Sequence, residues 1–185
     1  IVELLSMQNQ GLKTRLEQIH LDYLVTTFPI LERGASQKSL NRGLLDLVAE
    51  DCVFELKSRL YVQNQLAQRK RPKSDYCWWM LDEIQRVKNQ EWCEKECYLP
   101  FWIFLIAQTK DPLNQATLCE DYIFQRDIYI VPWVAHELVQ TNAPGTSRYL
   151  GLSRLLKNYN FDSYSVPKGN ISLACCLPSF VQSLF

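Results

Sequence analysis

Apolar positions recur along this chain with two different periods. Leu12, Leu16, Ile19 and Tyr23 are spaced three or four apart, which predicts an amphipathic helix over Gly11–Thr26, stopped by Pro29 or the loop that holds it. Tyr76, Met80, Ile84 and Val87 repeat that spacing and predict a second helix over Asp75–Glu91 with these side chains inward. A third, Ser147–Tyr159, would turn Leu152, Leu155, Leu156 and Tyr159 to the core. Leu44–Val48 and Cys52–Leu56 are short enough to be strands, joined by Ala49, Glu50 and Asp51, a stretch polar enough to turn. Tyr98–Gln108 is an unbroken aromatic and branched run, the pattern of a central strand covered on both faces, and Lys110-Asp111-Pro112 closes it. Asp127–Val134 is a further strand, with Pro132 marking its end or an edge. Glu32–Arg42 and Thr141–Ser147 read as polar loops, and the last 25 residues as loop with a short strand at Ile171–Ala174. Allowing one more helix near Leu113–Tyr122, the order predicts an α/β fold: a mixed central β-sheet flanked by helices. No internal repeat and no long linker divides it, so residues 1–185 are expected to form a single domain.

The hairpin at 44–56 concentrates the chemistry. If it folds about the Glu50–Asp51 bond, position 46 falls opposite position 55. Residues directly opposite share a face, with Cβ atoms roughly 4.5–5.5 Å apart. Side chains alternate along a strand, so Glu55 and Lys57 point one way and Phe54 and Leu56 the other. Asp46 and Glu55 would then be neighbouring carboxylates, which destabilises a sheet unless something of opposite charge lies between them. A divalent cation would do so. Mg2+ binds through one or two carboxylates and keeps several waters, leaving positions for phosphate oxygens. A lysine beside it can orient or deprotonate a water and steady developing negative charge.

Asp46, eight residues, Glu55-Leu56-Lys57: this pattern resembles the PD-(D/E)xK nuclease superfamily, which includes restriction enzymes and Holliday-junction resolvases. Asp46 falls at the first acidic position and Glu55-Leu56-Lys57 on the second motif, while Leu45 stands where the pattern has proline. The resemblance covers about residues 12–134 and rests on three motif residues. It implies a restriction-endonuclease-like core with the site at one end of the sheet. It also implies that Asp46 and Glu55 bind one or two Mg2+ ions, and that Asp46, Glu55 and Lys57 are catalytic. In relatives a first-helix glutamate sometimes joins the metal, which makes Glu17 a candidate accessory acid; otherwise Glu17 is part of a solvated helix face.

Six of the twenty basic residues lie between Lys57 and Lys73. Arg59, Arg69, Lys70, Arg71 and Lys73 are candidates to hold DNA phosphates, or they belong to a solvated loop. Trp78, Trp79 and Trp92 could stack on bases, although such residues are more often core. Twenty acidic side chains balance the twenty basic ones, so any nucleic-acid surface must be local.

Composition removes other classes. Hydrophobic residues make up 47% of the chain, enough for a sizeable core. Its six glycines are far apart and form no G-x-x-x-x-G-K-[ST] or G-x-G-x-x-G loop, so no nucleotide cofactor is expected. Neither H-E-x-x-H nor G-x-S-x-G occurs. Seven cysteines follow no disulfide spacing, and Cys93-x3-Cys97 resembles half a zinc site without a second close pair. The longest apolar run, Leu99–Ala107, is too short for a bilayer. No secretory segment is evident, and the cysteine usage points to a reducing, cytoplasmic compartment. The chain begins at Ile1 rather than Met, which leaves open whether the native start is present.

The expectation is a Mg2+-dependent DNA endonuclease of homing or restriction type, acting on double-stranded DNA as a homodimer or homotetramer, without membrane contact. Two alternatives stand beside it: a nuclease-like DNA-binding protein that lacks catalysis, and an unrelated α/β protein-interaction module.

Overall fold

The computed structural model describes residues 2–34, 45–66, 73–75, 77–112, 120–139, 147–161, 165–168, 171–183 and 185. In chain order the elements are α1 (Val2–Thr27), β1 (Glu32–Arg33), β2 (Leu47–Ala49), β3 (Cys52–Val62), α2 (Gln63–Leu66), β4 (Trp78–Asp82), α3 (Glu83–Glu96), β5 (Leu99–Thr109), β6 (Gln125–Pro132), β7 (Ser147–Gly151), α4 (Leu152–Asn158), β8 (Ser165–Lys168), β9 (Ile171–Cys175) and α5 (Ser179–Gln182). Seven strands form one mixed sheet in the order β1-β2-β3-β5-β6-β9-β8, and β4 pairs with β7 in a separate ribbon. The β3–β5 and β6–β9 pairs are parallel; the others are antiparallel. The fold is therefore α/β with a mixed sheet flanked by helices.

β5 is covered on both faces, which explains its unbroken apolar run. Phe101, Ile103, Leu105 and Ala107 join Leu16, Leu21 and Leu24 of α1, and Phe28 just after it, on one side. Trp102, Phe104 and Ile106 face the other side, with Trp79 and Leu81 of β4, Leu150 of β7, and Leu152 and Leu155 of α4. The Trp102 and Trp133 rings stack at 4.1 Å, and the Trp102 indole N–H donates to the Trp133 carbonyl at 2.9 Å.

Two predicted helices begin as strands. Residues 78–82 alternate exposed and buried, with Trp79 and Leu81 inward, so period two wins there over the weaker period-four match. Asp82 then caps α3, accepting the Gln85 N–H at 3.0 Å. The face expected to be inward is the solvent face: Met80, Ile84 and Val87 are all exposed. Likewise Ser147–Gly151 pairs with β4 before α4 begins. α1 is longer than its expected span, and β3 runs on to Val62. The expected helix near Leu113–Tyr122 falls mostly outside the described residues; Glu120–Tyr122 is a 3₁₀ turn. Cys97 ends α3 in the left-handed conformation (φ 59°), exposed, and its N–H donates to the carbonyl of the buried Cys93.

Candidate active site

The hairpin turns at Glu50 and Asp51, with Leu47 opposite Phe54, Val48 opposite Val53 and Ala49 opposite Cys52. This is the register expected from the sequence. Pairing stops one residue short of Asp46, whose N–H donates to the Phe54 carbonyl at 3.0 Å. Asp46 is thus held at a bend, and its own carbonyl accepts the Gly34 N–H at 2.9 Å. Only glycine permits that approach: a Cβ at Gly34 would lie 2.2 Å from the Leu45 carbonyl oxygen.

The bend aims the Asp46 carboxylate along β3, where Oδ2 accepts the Leu56 N–H at 2.7 Å. Glu55 and Lys57 leave the opposite face from Phe54 and Leu56, as alternation requires. Lys57 Nζ donates to Glu55 Oε1 at 2.8 Å. The other Glu55 oxygen meets the Asn89 side-chain amide of α3 at 3.5 Å, and the Gln85 amide donates to Asn89 Oδ1 at 2.9 Å. Gln85, Asn89 and Cys93 stand one helical turn apart, so α3 lays a partly polar stripe against the sheet.

Three carboxyl groups act on one ammonium here. Burial first, then the Glu55 charge and Glu17, push the Asp46 carboxyl up to about 8; the Leu56 N–H only partly opposes this. Burial also raises Glu55, with Lys57 pulling it back and Glu17 adding to the rise. Burial would lower Lys57, but Glu55, Asp46 and Glu17 outweigh it and hold the ammonium charged. Glu17 on α1 is therefore within electrostatic range of all three residues.

Of the expected phosphate contacts, Arg59 follows Lys57 on the same face of β3, its guanidinium 4.4 Å from the Trp78 ring centroid. Lys73 is already engaged: its ammonium pairs with the buried Asp127, which also accepts from Gln108 at 2.7 Å. Arg69, Lys70 and Arg71 lie outside the described residues. Trp79 is core, and Trp92 is partly buried in a stack with Tyr98 at 5.2 Å. Trp78 remains exposed.

Sequence reasoning missed Gln85 and Asn89. Their signal was two amides four apart, and it was obscured because the helix was assigned its outer face as its inner one.

Asp46 and Glu55 fit the demand of a hard cation for carboxylate oxygens, since both are buried with less positive charge than negative around them. Among the described residues, no group of three or more His, Cys, Asp or Glu side chains is gathered closely enough to cage a metal. None of the described helices is long and apolar enough to cross a membrane. Comparison with known proteins finds no match to a family model, a curated protein sequence or a solved structure. The chemistry of the site is accordingly read from its own geometry.

Proposed function

We propose that this protein is a metal-dependent DNA endonuclease with a restriction-endonuclease-like core. The observation that carries this reading is the unbalanced cluster of Asp46, Glu55 and Lys57 at the start of β3. Folding alone gains nothing from burying Asp46 beside Glu55, whose charge adds to the cost of ionising it. A ligand of positive charge would remove the conflict.

Asp46 and Glu55 would hold Mg2+, with Glu17 as an accessory acid. Bound there, Mg2+ would supply a Lewis acid for a phosphate oxygen and a water of lowered pKa. Lys57, kept charged by its neighbours, would orient the attacking water and stabilise negative charge on the phosphoryl oxygens as the water oxygen bonds to phosphorus. The P–O ester bond then breaks, and the departing sugar oxygen takes a proton. Asn89, steadied by Gln85, restricts the Glu55 carboxylate to one orientation. Arg59 extends the positive charge along the strand, suited to a neighbouring phosphate. One active site per subunit cuts one strand, so a double-strand break calls for a homodimer or homotetramer.

A second reading draws on the lack of a three-ligand cage among the described residues. It is a nuclease-like protein that binds DNA without cutting it. Incubation of plasmid with the protein in Mg2+ or in EDTA separates the two. Nicking or linearisation in Mg2+ alone, lost in Asp46→Asn and Glu55→Gln, supports the endonuclease. Metal-independent binding without cleavage supports the second reading. Cleavage by both amide variants at the parent rate would remove this site from the chemistry.

A further inference from the structure

A cavity of about 640 Å³ is lined by Ser74, Asp75, Trp78, Tyr149, Ser153 and Arg154 among others. That volume is in the usual range for small-molecule sites, about 300–1,000 Å³. β3 links the cavity to the catalytic candidates through Arg59. Glu55, Lys57 and Arg59 follow one another on one face, and Arg59 lies over Trp78, one of the cavity's walls. The step from Lys57 to Arg59 is two strand residues, about 7 Å.

The lining is unusual for packing and suited to recognition. Trp78 is exposed although it belongs to a strand whose alternate residues, Trp79 and Leu81, are fully packed. Tyr149 on the paired strand meets it edge to face at 4.8 Å, so two aromatic rings are held in a fixed relation. Two hydroxyls, Ser74 and Ser153, and one carboxylate, Asp75, provide donors and acceptors around them. Positive charge comes from Arg59 and Arg154. Among the described residues Arg59 forms no ion pair.

We infer that this cavity receives an unpaired nucleobase of the bound strand, stacked on Trp78 with Tyr149 set across it, while Arg59 holds the phosphate between that base and the Lys57 position. The inference rests on the nuclease reading for its occupant and extends it. The preferred substrate would carry a single-stranded or displaced nucleotide next to the phosphate under attack. A base inside an intact duplex has both faces stacked and cannot enter the cavity unless it is extruded.

The test compares three labelled DNAs of one length in EDTA at low salt: a thymidine single strand, an abasic single strand of the same charge, and a duplex. Stacking on one aromatic is worth about 1–3 kcal/mol per base, roughly 5–150-fold in affinity. The parent should bind the thymidine strand more tightly than the abasic strand by a factor in that range. Trp78→Ala should reduce thymidine-strand binding to the abasic level and leave abasic binding unchanged. Trp78→Phe, which keeps a ring, should restore most of the difference, and Tyr149→Ala repeats the test if Trp78→Ala does not fold. Equal parent affinity for thymidine and abasic strands would overturn the inference, as would equal weakening of both by Trp78→Ala. Cleavage in Mg2+ is scored separately. Base-dependent binding without cleavage keeps the cavity and sinks the nuclease reading; cleavage without base dependence does the reverse.

Discussion

Two polar clusters join α1 to the sheet, and they solve the burial of charge in opposite ways. In one, the fully buried Arg126 makes a two-pronged contact with Glu120 at 2.7 and 2.5 Å, donates from Nε to His20 Nδ1 at 3.3 Å, and lies 3.7 Å from the Tyr23 ring centroid. Its single positive charge meets a single negative one. His20 stays neutral, pushed down to about 3 by burial first and then by the Arg126 charge. Accepting at Nδ1 puts the imidazole proton on Nε2, which is buried with no hydrogen-bond partner among the described residues. In the other cluster, Asp46, Glu55 and Glu17 act on Lys57 alone. The first is a clamp, balanced in charge by its own members. The second has more carboxyl groups than cations, and with no described neighbour to balance them Asp46 holds its proton up to about 8. Paired buried charges are what a fold alone would retain. A surplus held in place by backbone hydrogen bonds and by a glycine contact instead suggests a partner from outside.

If that contrast is right, breaking each cluster should show in a different measurement. The largest effect is expected at Lys57. Lys57→Ala should slow Mg2+-dependent cleavage by about 10²–10³-fold, the cost of removing one charge-stabilising donor. Steady-state rates on plasmid read this directly, and near-normal turnover would remove Lys57 from the mechanism. The clamp should respond in stability. Glu120→Ala leaves the buried Arg126 guanidinium without its counter-ion. Breaking a fully buried pair costs about 3–5 kcal/mol; with Glu120 half exposed, water can replace part of it, so about 2–3 kcal/mol is expected. For a chain of this size that lowers Tm by roughly 4–12 °C. A Tm within 1 °C of the parent would show that Arg126 is adequately hydrated without Glu120 and that the clamp is not one.

Much of this was legible in the sequence where local geometry decides. The hairpin register follows from two polar residues between two apolar runs, and it places Glu55 and Lys57 on one face without any knowledge of the rest. β5 declared itself as central because both its faces are apolar. The clamp was not legible: His20 and Arg126 are 106 positions apart, and nothing local marks an arginine that will be wholly buried. β4 and β7 were lost because five-residue strands run directly into helices at Asp82 and Gly151, and a single window blends the two periods. Lys73 looked free because its partner Asp127 is 54 residues away on another strand.

The smallest effect is also the sharpest test of the surplus. Asp46→Asn keeps the shape and an oxygen that can accept the Leu56 N–H, and it removes the carboxyl that must hold a proton to lie buried beside Glu55. In EDTA it should be neutral or stabilising by about 0.2–1 kcal/mol, the scale of a cross-strand charge pair. Glu55→Gln is not equivalent, because it strips Lys57 of its partner. The pH dependence gives the sign. Asp46 titrates near 3.9 when unfolded and at about 8 when folded, so the folded state holds its proton more tightly. The stability this contributes is present below pH 4 and is lost as pH rises towards 8. His20 acts in the other direction: its folded value of about 3 lies below 6.5, so its contribution is present above 6.5 and is lost as pH falls. Melting parent and Asp46→Asn side by side in EDTA cancels the His20 part. The parent should lose more stability than the variant between pH 5 and pH 8. Added Mg2+ should recover that loss in the parent, since a ligand bound only by the folded state stabilises it, and should recover less in Asp46→Asn. Parallel pH profiles, with no Mg2+ shift in either protein, would mean that Asp46 is solvated and that the two clusters do not differ in the way argued.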